Sequence, residues 1–383
     1  MSGDPEQEYF ADGMVEDIIT ALSRFKSLFV IARNSSFTYK GKAADIKQVG
    51  RELGVRYVLE GSVRKAGARL RITGQLIDAA TGAHLWADKF EGGLQDVFDL
   101  QDTVAASVVG AIAPRLIQAD VARAKRKAPT SWDSYDYYLR GFALFVRRTP
   151  ETNDQALELF RKAMELNPEF GLAQVRVAAC LFTKSNLFGR PLSDEERFEA
   201  LQLATRALVL AGDDELVLAS ASLTFAYLND ELERGSDLAD RALAINPNLS
   251  VGWNARGWIS VSLGDGARAL DAFDRALRLN PADDFTVLLA MEGKCCALFE
   301  LGRHSDALEL AKRLLARHPS DLYGWFAHCL LDADPARTAD AAGHIRALYP
   351  HLCSSHLRRI FYIRSSKHRA MVEEAIARLG LPE

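Results

Sequence analysis

Residues 253–281 read WNARGWISVSLGDGARALDAFDRALRLNP and contain the spacing that decides the fold. Trp253 and Gly257 are four residues apart, so that a large side chain is followed by a position that lets a second helix approach closely. The residues that then recur at three- and four-residue steps, as on one helix face, are Ala269, Phe273 and Ala276. The segment therefore predicts two helices packed against each other and closed by Pro281.

The same pattern recurs along the second part of the chain. Asn246-Pro247 and Asn280-Pro281 lie 34 residues apart, which is the period of the tetratricopeptide repeat, and the segment resembles that repeat almost position by position. The closing elements of the units lie at residues 168, 212, 247, 281, 319 and 350. Because one such unit cannot bury its apolar face alone, the resemblance implies five to six stacked repeats over residues 131–350, with a concave surface, and capping helices over residues 351–383.

The first 95 residues mix helical and strand spacing and are predicted to form a separate α/β domain. Apolar residues are spaced as on one helix face over residues 12–25 and 45–53. The short apolar run at residues 28–32 is interpreted as a buried strand, and alternation from about residue 56 to 90 predicts an antiparallel meander. The fold class predicted for the chain is a small mixed sheet with helices, followed by an all-α repeat superhelix.

Residues 96–130 are predicted to form a connecting helix and a linker. The long helical stretch ends in a basic run at residues 123–127, followed by Ala-Pro-Thr-Ser. Pro114 is expected to kink or break this helix, because proline removes a backbone hydrogen bond. The basic run is interpreted as a solvated helix end that complements the helix dipole, in preference to a phosphate-binding patch.

Four segments of the N-terminal region resemble the TolB-N-terminal-like (FlgO-like) domain of bacteria. They are DPEQEYFADG at 4–13, VIARNSSF at 30–37, YVLEGSVR at 57–64 and LIDAATGAHLW at 76–86. In that family the domain is commonly followed by tetratricopeptide repeats and often preceded by a class III adenylate cyclase domain. A winged-helix DNA-binding domain or a protein kinase takes the upstream place less often. The resemblance implies the regulatory C-terminal part of an adenylate-cyclase-type signalling protein.

The sequence departs from that family in two ways. A strand precedes the Gly3-Asp4-Pro5 segment in the family, whereas here this segment stands almost at the start of the chain. We therefore expect a sheet edge without its usual partner strand, and a homodimer formed through that edge. The metal-binding and purine-reading residues of a cyclase belong to a separate domain with no counterpart in this sequence, so the chain itself is predicted not to be an enzyme.

Composition narrows the range of partners. A net charge of −4 and a pI near 6.1 give no support for binding to nucleic acid or to anionic membranes. No apolar run approaches the roughly 20 residues that a membrane-spanning helix needs. Five irregularly spaced cysteines indicate reduced thiols in a reducing compartment. We expect a cytoplasmic protein without a cofactor and with neither nucleic-acid nor membrane partners.

The few motifs with chemical potential are too incomplete to predict a catalytic or metal site. His351, Cys353 and His356 offer three metal ligands within six residues, but a fourth ligand is not evident nearby. Gly41-Lys42 lacks the earlier glycine and the following Ser or Thr of a phosphate-binding loop. No catalytic, cofactor-binding or metal-binding residue is therefore predicted.

The remaining candidate site is the groove formed by the first helix of each repeat. The predicted groove residues are Tyr135, Tyr138, Phe142, Ser220, Thr224, Tyr227, Asn254 and Trp258. Trp and Tyr are over-represented among residues that carry binding energy, although the same positions also serve packing between repeats. We predict a non-catalytic regulatory module that binds a protein or peptide partner in this groove, with a small-molecule ligand left open.

Two other functions remain open. The chain is alternatively part of an adenylate cyclase whose catalytic domain is absent from it. The third hypothesis is a transcription regulator that has lost its DNA-binding domain, because such a domain sometimes stands upstream in the family.

Overall fold

The computed structural model describes residues 5–25, 28–42, 44–66, 69–93, 97–124, 132–281, 283–361 and 366–383. They belong to two compact units, which divide the chain between Arg123 and Ala124. The finer domain boundaries given above stay a prediction, and the last residues of the predicted linker, 125–130, lie outside the described residues.

The first unit contains a three-stranded antiparallel sheet. Its helices are α1 (Pro5–Ser23), α2 (Arg33–Ser36), α3 (Ile46–Leu53) and α4 (Val97–Ala124), and its strands are β1 (Tyr57–Ala66), β2 (Arg69–Asp78) and β3 (His84–Gly93). The strands pair in the order β1-β2-β3, with Ile72 opposite both Val63 and Phe90. Because successive side chains alternate between faces, apolar residues share one face, where they pack with Met14 of α1 and Val104 of α4.

The prediction of a strand at residues 28–32 is wrong. These residues form an irregular connection between α1 and α2, and Phe29 is 86% exposed. Consequently the described sheet is antiparallel throughout and not mixed. Leu28 alone of this run packs against the core of the unit, and a short apolar run does not by itself distinguish a strand from such a connection.

A helix break at Pro114 is also not observed. α4 continues through this residue from Val97 to Ala124. Ile112 and Leu116 on either side are buried in the core of the unit, and their burial offsets the backbone hydrogen bond that proline removes.

Consecutive helix pairs build the described part of the second unit. The first helices of the pairs are α5 (Ser134–Phe145), α7 (Gly171–Asn186), α9 (Glu215–Leu228), α11 (Ser250–Ser262), α13 (Asp284–Glu300), α15 (Leu322–Leu331) and α17 (Ser354–Ile360). The second helices are α6 (Pro150–Leu166), α8 (Asp194–Ala211), α10 (Leu232–Ile245), α12 (Gly266–Leu279), α14 (His304–Arg317), α16 (Pro335–Leu348) and α18 (Ser366–Leu379). The two helices of every pair pack together, and from α7 to α15 each first helix also contacts the next first helix. This stacking confirms the predicted helical-repeat superhelix.

The crossing of α11 and α12 shows why the opening motif specifies the fold. A side-chain carbon added at Gly257 would lie 2.6 Å from Cε1 of Phe273, whose side chain is fully buried. Gly141 and Phe160 repeat this arrangement in the first pair, at 2.8 Å. The predicted close approach of the second helix at Gly257 is therefore confirmed, because only a residue without a side chain admits the ring so close to the backbone.

The turns between repeats are fixed by a recurring hydrogen bond. A side-chain N–H six residues after a proline donates to that proline's carbonyl oxygen. The bonds run from Trp253 Nε1 to Pro247 (2.8 Å), from Trp325 Nε1 to Pro319 (2.8 Å) and from Gln174 Nε2 to Pro168 (2.7 Å). Each bond joins the start of one pair to the end of the preceding pair, so that it holds the angle between neighbouring repeats.

Candidate binding surface

The inner surface of the repeat unit is the face formed by the first helices α5, α7, α9, α11, α13 and α15. Its curvature brings distant helices together, since the ring of Phe145 on α5 lies 6.0 Å from that of Phe285 on α13. The side chains on this surface are therefore arranged around a confined interior.

An aromatic patch on α5 begins this surface. Tyr135 is 40% exposed, Tyr138 is buried and Phe142 is half-buried. Their rings follow one another at 6.0 Å and 6.4 Å, and Phe170 lies 5.3 Å from Tyr138. The guanidinium of Arg176 on α7 lies 5.2 Å from the Phe142 ring, within the range of a cation–π contact. Of these side chains, Tyr135 offers the most accessible area for a partner.

Tyr227 and Trp258 form the centre of the inner surface. The Tyr227 hydroxyl contacts the carbonyl oxygen of Trp258 and Oγ of Ser262, both at 2.9 Å. The ring of Tyr227 stacks on Phe182 at 5.8 Å, while the Trp258 ring lies 5.1 Å from that of Tyr323. Burial raises the pKa of Tyr227, so its hydroxyl stays protonated and keeps donating to the Trp258 carbonyl oxygen.

Three other predicted groove residues are engaged within the helices. Thr224 and Asn254 are 1% and 2% exposed. The Thr224 hydroxyl donates to the Ser220 carbonyl oxygen at 3.2 Å, and Asn254 Nδ2 donates to that of Thr286 at 3.1 Å. Asn254 therefore links α11 to α13, and in this conformation neither Thr224 nor Asn254 offers surface to a partner. Ser220 is half-buried at the same stretch of α9.

A buried ion pair crosses the interior and was not anticipated from the sequence. One guanidinium nitrogen of Arg148, just after α5, lies 2.9 Å and 3.2 Å from the two carboxylate oxygens of Glu292 on α13. The side chains are 11% and 0% exposed. Burial raises the pKa of the Glu292 carboxyl, and the Arg148 guanidinium acts against that shift. The signal in the sequence is a glutamate within a mostly apolar helical stretch.

Arg148 also has an unusual backbone conformation. Its φ of 56° lies in the left-handed region, which a side chain with a Cβ rarely adopts. The ion pair with Glu292 holds the Arg148 side chain across the interior, and this contact offsets the strain of its left-handed backbone.

A second contact joins the last helix pair to the second helix pair. One guanidinium nitrogen of Arg359 on α17 donates to the carbonyl oxygen and to Oγ of Ser185 on α7, at 3.1 Å and 3.0 Å, and contacts Nδ1 of His356 at 3.0 Å. Burial and the positive charge of Arg359 lower the pKa of His356 to about 4. The last described helices therefore pack against the second repeat, and the inner surface is partly filled by the chain itself.

An inner cavity remains where α11, α13, α15, α17 and α18 meet. Its volume is about 30 Å³, and aromatic and aliphatic side chains dominate its walls. Its walls include Trp258, Tyr323, Phe326, Ala327, Phe361 and Glu300. Among the predicted groove residues, Trp258 alone lines this cavity.

Within the described ranges, no group of three or more His, Cys, Asp or Glu side chains is placed to hold a metal ion. No described helix combines the length and apolarity needed to cross a membrane.

Comparison with known proteins gives one related sequence and several structures of similar fold. No known family model matches the chain. A stretch of 235 residues, 61% of this chain, is 39% identical to a protein of Rhizobium meliloti (strain 1021) named "Putative adenylate cyclase 3". The chain spans about 40% of the length of that relative.

The similar structures are themselves helical-repeat proteins. A thermophilic TPR protein of Thermus thermophilus, TTC0263, is 20% identical with a TM-score of 0.40, covering 54% of this chain and 98% of its own. The TPR protein YrrB, described as having an unusual peptide-binding site, is also 20% identical, with a TM-score of 0.32 and coverage of 50% and 92%. At these scores the similarities carry no argument of their own, and the repeat architecture rests on the helices and contacts described above.

Proposed function

We propose that this chain is a non-catalytic regulatory module of a bacterial signalling protein and binds a protein or peptide partner through the inner surface of its repeats. The observation that carries the proposal is the line of aromatic side chains on that surface, from Tyr135 on α5 to Trp258 on α11. Aromatic anchors in a curved, confined surface are the usual basis of binding energy at protein interfaces. The repeat fold is suited to this role, because stacked helix pairs create extended binding surfaces of this kind.

The signalling context rests on sequence similarity. The matched relative carries the name of an adenylate cyclase, and the first unit resembles a domain that often follows cyclase domains. The alternative is that the chain is one part of an enzyme that synthesises cyclic AMP. A transcription regulator is the remaining possibility. The net charge of −4 gives no support for a nucleic-acid or membrane partner, and the irregularly spaced cysteines favour the cytoplasm as the place of binding.

Site-specific photocrosslinking in the native bacterium tests the binding surface. A benzophenone amino acid at Tyr135 or Trp258 should capture one discrete partner, identified by mass spectrometry. The matched control is Phe198 on α8, which is 62% exposed on a second helix. Capture of the same protein from all three positions, or from Phe198 alone, would contradict binding through the inner surface.

Enzyme assays separate the module from the cyclase alternative. The purified chain is expected to convert no ATP to cyclic AMP with magnesium or manganese. The assay is then repeated with the part of the Rhizobium meliloti relative that lies outside the matched residues. Activity of the chain alone, absent from a mock purification, would refute the non-catalytic assignment, whereas a change in the relative's rate would identify a regulatory contact.

We also propose a homodimer through the sheet of the first unit. β1 is an edge strand of the described sheet, and a free edge favours pairing with another chain. Sedimentation equilibrium should show a concentration-dependent dimer. A monomer across the whole accessible concentration range would refute this association without affecting the inner-surface proposal.

A further inference from the structure

One side of β1 presents backbone groups that β2 does not use. The N–H of Ala79, just after β2, donates to the carbonyl oxygen of Arg56 at 2.7 Å, and the register of the two strands continues from there without a shift. Backbone bonding alternates along an antiparallel pair, so the even-numbered residues from 58 to 64 bond to β2. The residues that turn their N–H and C=O groups away from β2 are Leu59, Gly61 and Val63. No described strand lies on that side of β1, so the edge can accept one more strand.

Two charges on β1 lack a partner of opposite sign. Glu60 and Arg64 lie four residues apart on the face of the sheet that points away from the core. Arg64 stands opposite Arg71 of β2, and Arg71 already pairs with Glu91 at 2.8 Å. Glu60 accepts a hydrogen bond from Gln75 at 2.8 Å. Neither Glu60 nor Arg64 makes an ion pair with any described residue, so the edge carries one unmatched charge of each sign.

The other edge of the sheet, β3, is less suited to strand addition. Its charges are matched within the sheet, because Glu91 lies 2.8 Å from Arg71 and 4.0 Å from Lys89. Its pairing with β2 is also interrupted, between Leu76 and Ile77, by a register shift. Bulges of this kind protect an edge from pairing with another chain. The observations therefore favour β1 as the edge that pairs.

We propose that two copies of this chain pair through antiparallel β1 strands, with Ser62 of both copies at the two-fold axis. This pairing rests on the homodimer proposed above and specifies its register. Glu60 of each copy then faces Arg64 of the other, so that both unmatched charges are neutralised twice. The outward backbone groups of Gly61 in one copy bond to those of Val63 in the other.

The charges select this register among the possible ones. The smallest shift that keeps the outward backbone groups paired is two residues, because a shift of one residue would place groups that already bond to β2 at the new interface. After a shift of two residues in either direction, Glu60 no longer faces Arg64. The second copy is therefore held in one register by charge complementarity as well as by the backbone.

Disulfide crosslinking of the full chain tests the register. Ser62→Cys should form an intermolecular disulfide under mild oxidation, because residues opposite each other at such a non-hydrogen-bonded position have Cα atoms about 4.5 Å apart. The matched control is Thr73→Cys, which lies opposite Ser62 on β2 and is also exposed. Its copies would be three strand spacings apart, about 14 Å, which is too far for a disulfide. The chain has five native cysteines, so the unmodified chain gives the background on non-reducing gels.

Charge reversal tests the pairing of Glu60 with Arg64. Glu60→Arg or Arg64→Glu alone should raise the dissociation constant of the dimer about tenfold, because two partly exposed charge pairs change from attraction to repulsion. The double variant should return it close to the original value. Lys89→Glu, a reversal on β3, is the control and should leave it unchanged. Sedimentation equilibrium measures each dissociation constant, high salt should reduce the differences, and far-UV circular dichroism reports whether each variant remains folded.

The remaining outcomes would overturn the inference. A dimer in which Ser62→Cys forms no disulfide above background, or in which Thr73→Cys crosslinks as well, pairs in another way. A double variant as weak as the single ones, or an equal loss in Lys89→Glu, would exclude the contact between Glu60 and Arg64. A monomer at every concentration would refute the homodimer itself. Photocrosslinking from Tyr135 tests partner binding to the inner surface separately, so the failures are distinguishable.

Discussion

Each unit of this protein uses an arginine–carboxylate contact to join segments that are far apart in sequence, but the two contacts lie in different environments. In the first unit, Arg56 lies 3.1 Å from Oδ1 of Asp120, with side chains 36% and 21% exposed. In the repeat unit, Arg148 lies 2.9 Å from Glu292, with side chains 11% and 0% exposed. The geometry is similar, whereas access to solvent differs greatly.

This difference determines how much each contact matters for stability. Water and salt screen a partly exposed pair, and loss of one partner leaves the other group solvated. A buried charge that loses its partner has no water to replace it, so the free energy of unfolding falls steeply. Exposure of the side chains, more than the distance between them, therefore sets how much an ion pair contributes to stability.

The largest effect is expected for Arg148→Met. Removing the guanidinium leaves the Glu292 carboxyl buried and should lower the free energy of unfolding by about 3–5 kcal/mol. Urea unfolding followed by circular dichroism, with hydrogen exchange of α13, measures the loss. In the Arg148→Met background, Glu292→Gln should recover a large share of it, because the uncompensated charge is gone. A loss below about 1 kcal/mol would remove the distinction between the two contacts.

The repeat fold could be predicted in detail because its determinants are local. Gly257 and Phe273 are close in sequence, and their spacing alone indicates the contact between α11 and α12. Arg148 and Glu292 are 144 residues apart, and their contact depends on the curvature summed over several repeats. No local pattern contains that curvature, so the filling of the predicted groove by the chain itself could not be foreseen.

The same reasoning explains the mixed result for the candidate site. Tyr227 and Trp258 lie on the inner surface as the repeat positions predict, yet Thr224 and Asn254 are almost fully buried at equivalent positions. Repeat position gives the direction of a side chain, whereas neighbouring helices decide whether it remains accessible.

The second prediction compares two glycines of the repeat unit. Gly257→Leu should lower the free energy of unfolding by about 1–3 kcal/mol, because its side chain would overlap the ring of Phe273. The matched control is Gly343 on α16, where an added side-chain carbon meets nothing within 4 Å. Gly343→Ala is expected to leave stability unchanged or raise it by about 0.5–1 kcal/mol, since alanine favours a helix. Similar losses at both sites in thermal and urea unfolding would contradict the close helix crossing.

The third prediction extends the comparison to a buried neutral group. The pKa of His356 is lowered to about 4 from 6.5, so between these values the unfolded chain binds a proton that the folded chain does not. Keeping His356 neutral therefore lowers the free energy of unfolding little above pH 6.5. Below that pH the free energy of unfolding falls, by about 1 kcal/mol at pH 5.5. His356→Gln should remove that part of the pH dependence in urea unfolding, whereas His351→Gln, at an exposed position, should retain it. Identical pH profiles for the two variants would show that His356 is not held neutral.

The smallest effect is expected for Arg56→Met in the first unit. Asp120 would keep the hydrogen bond from the Tyr57 hydroxyl at 3.0 Å and the neighbouring Arg123 at 3.6 Å, and solvent reaches its carboxylate. The free energy of unfolding should therefore change by less than about 1 kcal/mol. Hydrogen exchange of β2 measures this change within the first unit, separately from the repeats. The effect should shrink further in high salt, because screening weakens a partly exposed pair and leaves a buried one nearly unchanged. A loss as large as that of Arg148→Met would show that exposure does not govern these two contacts.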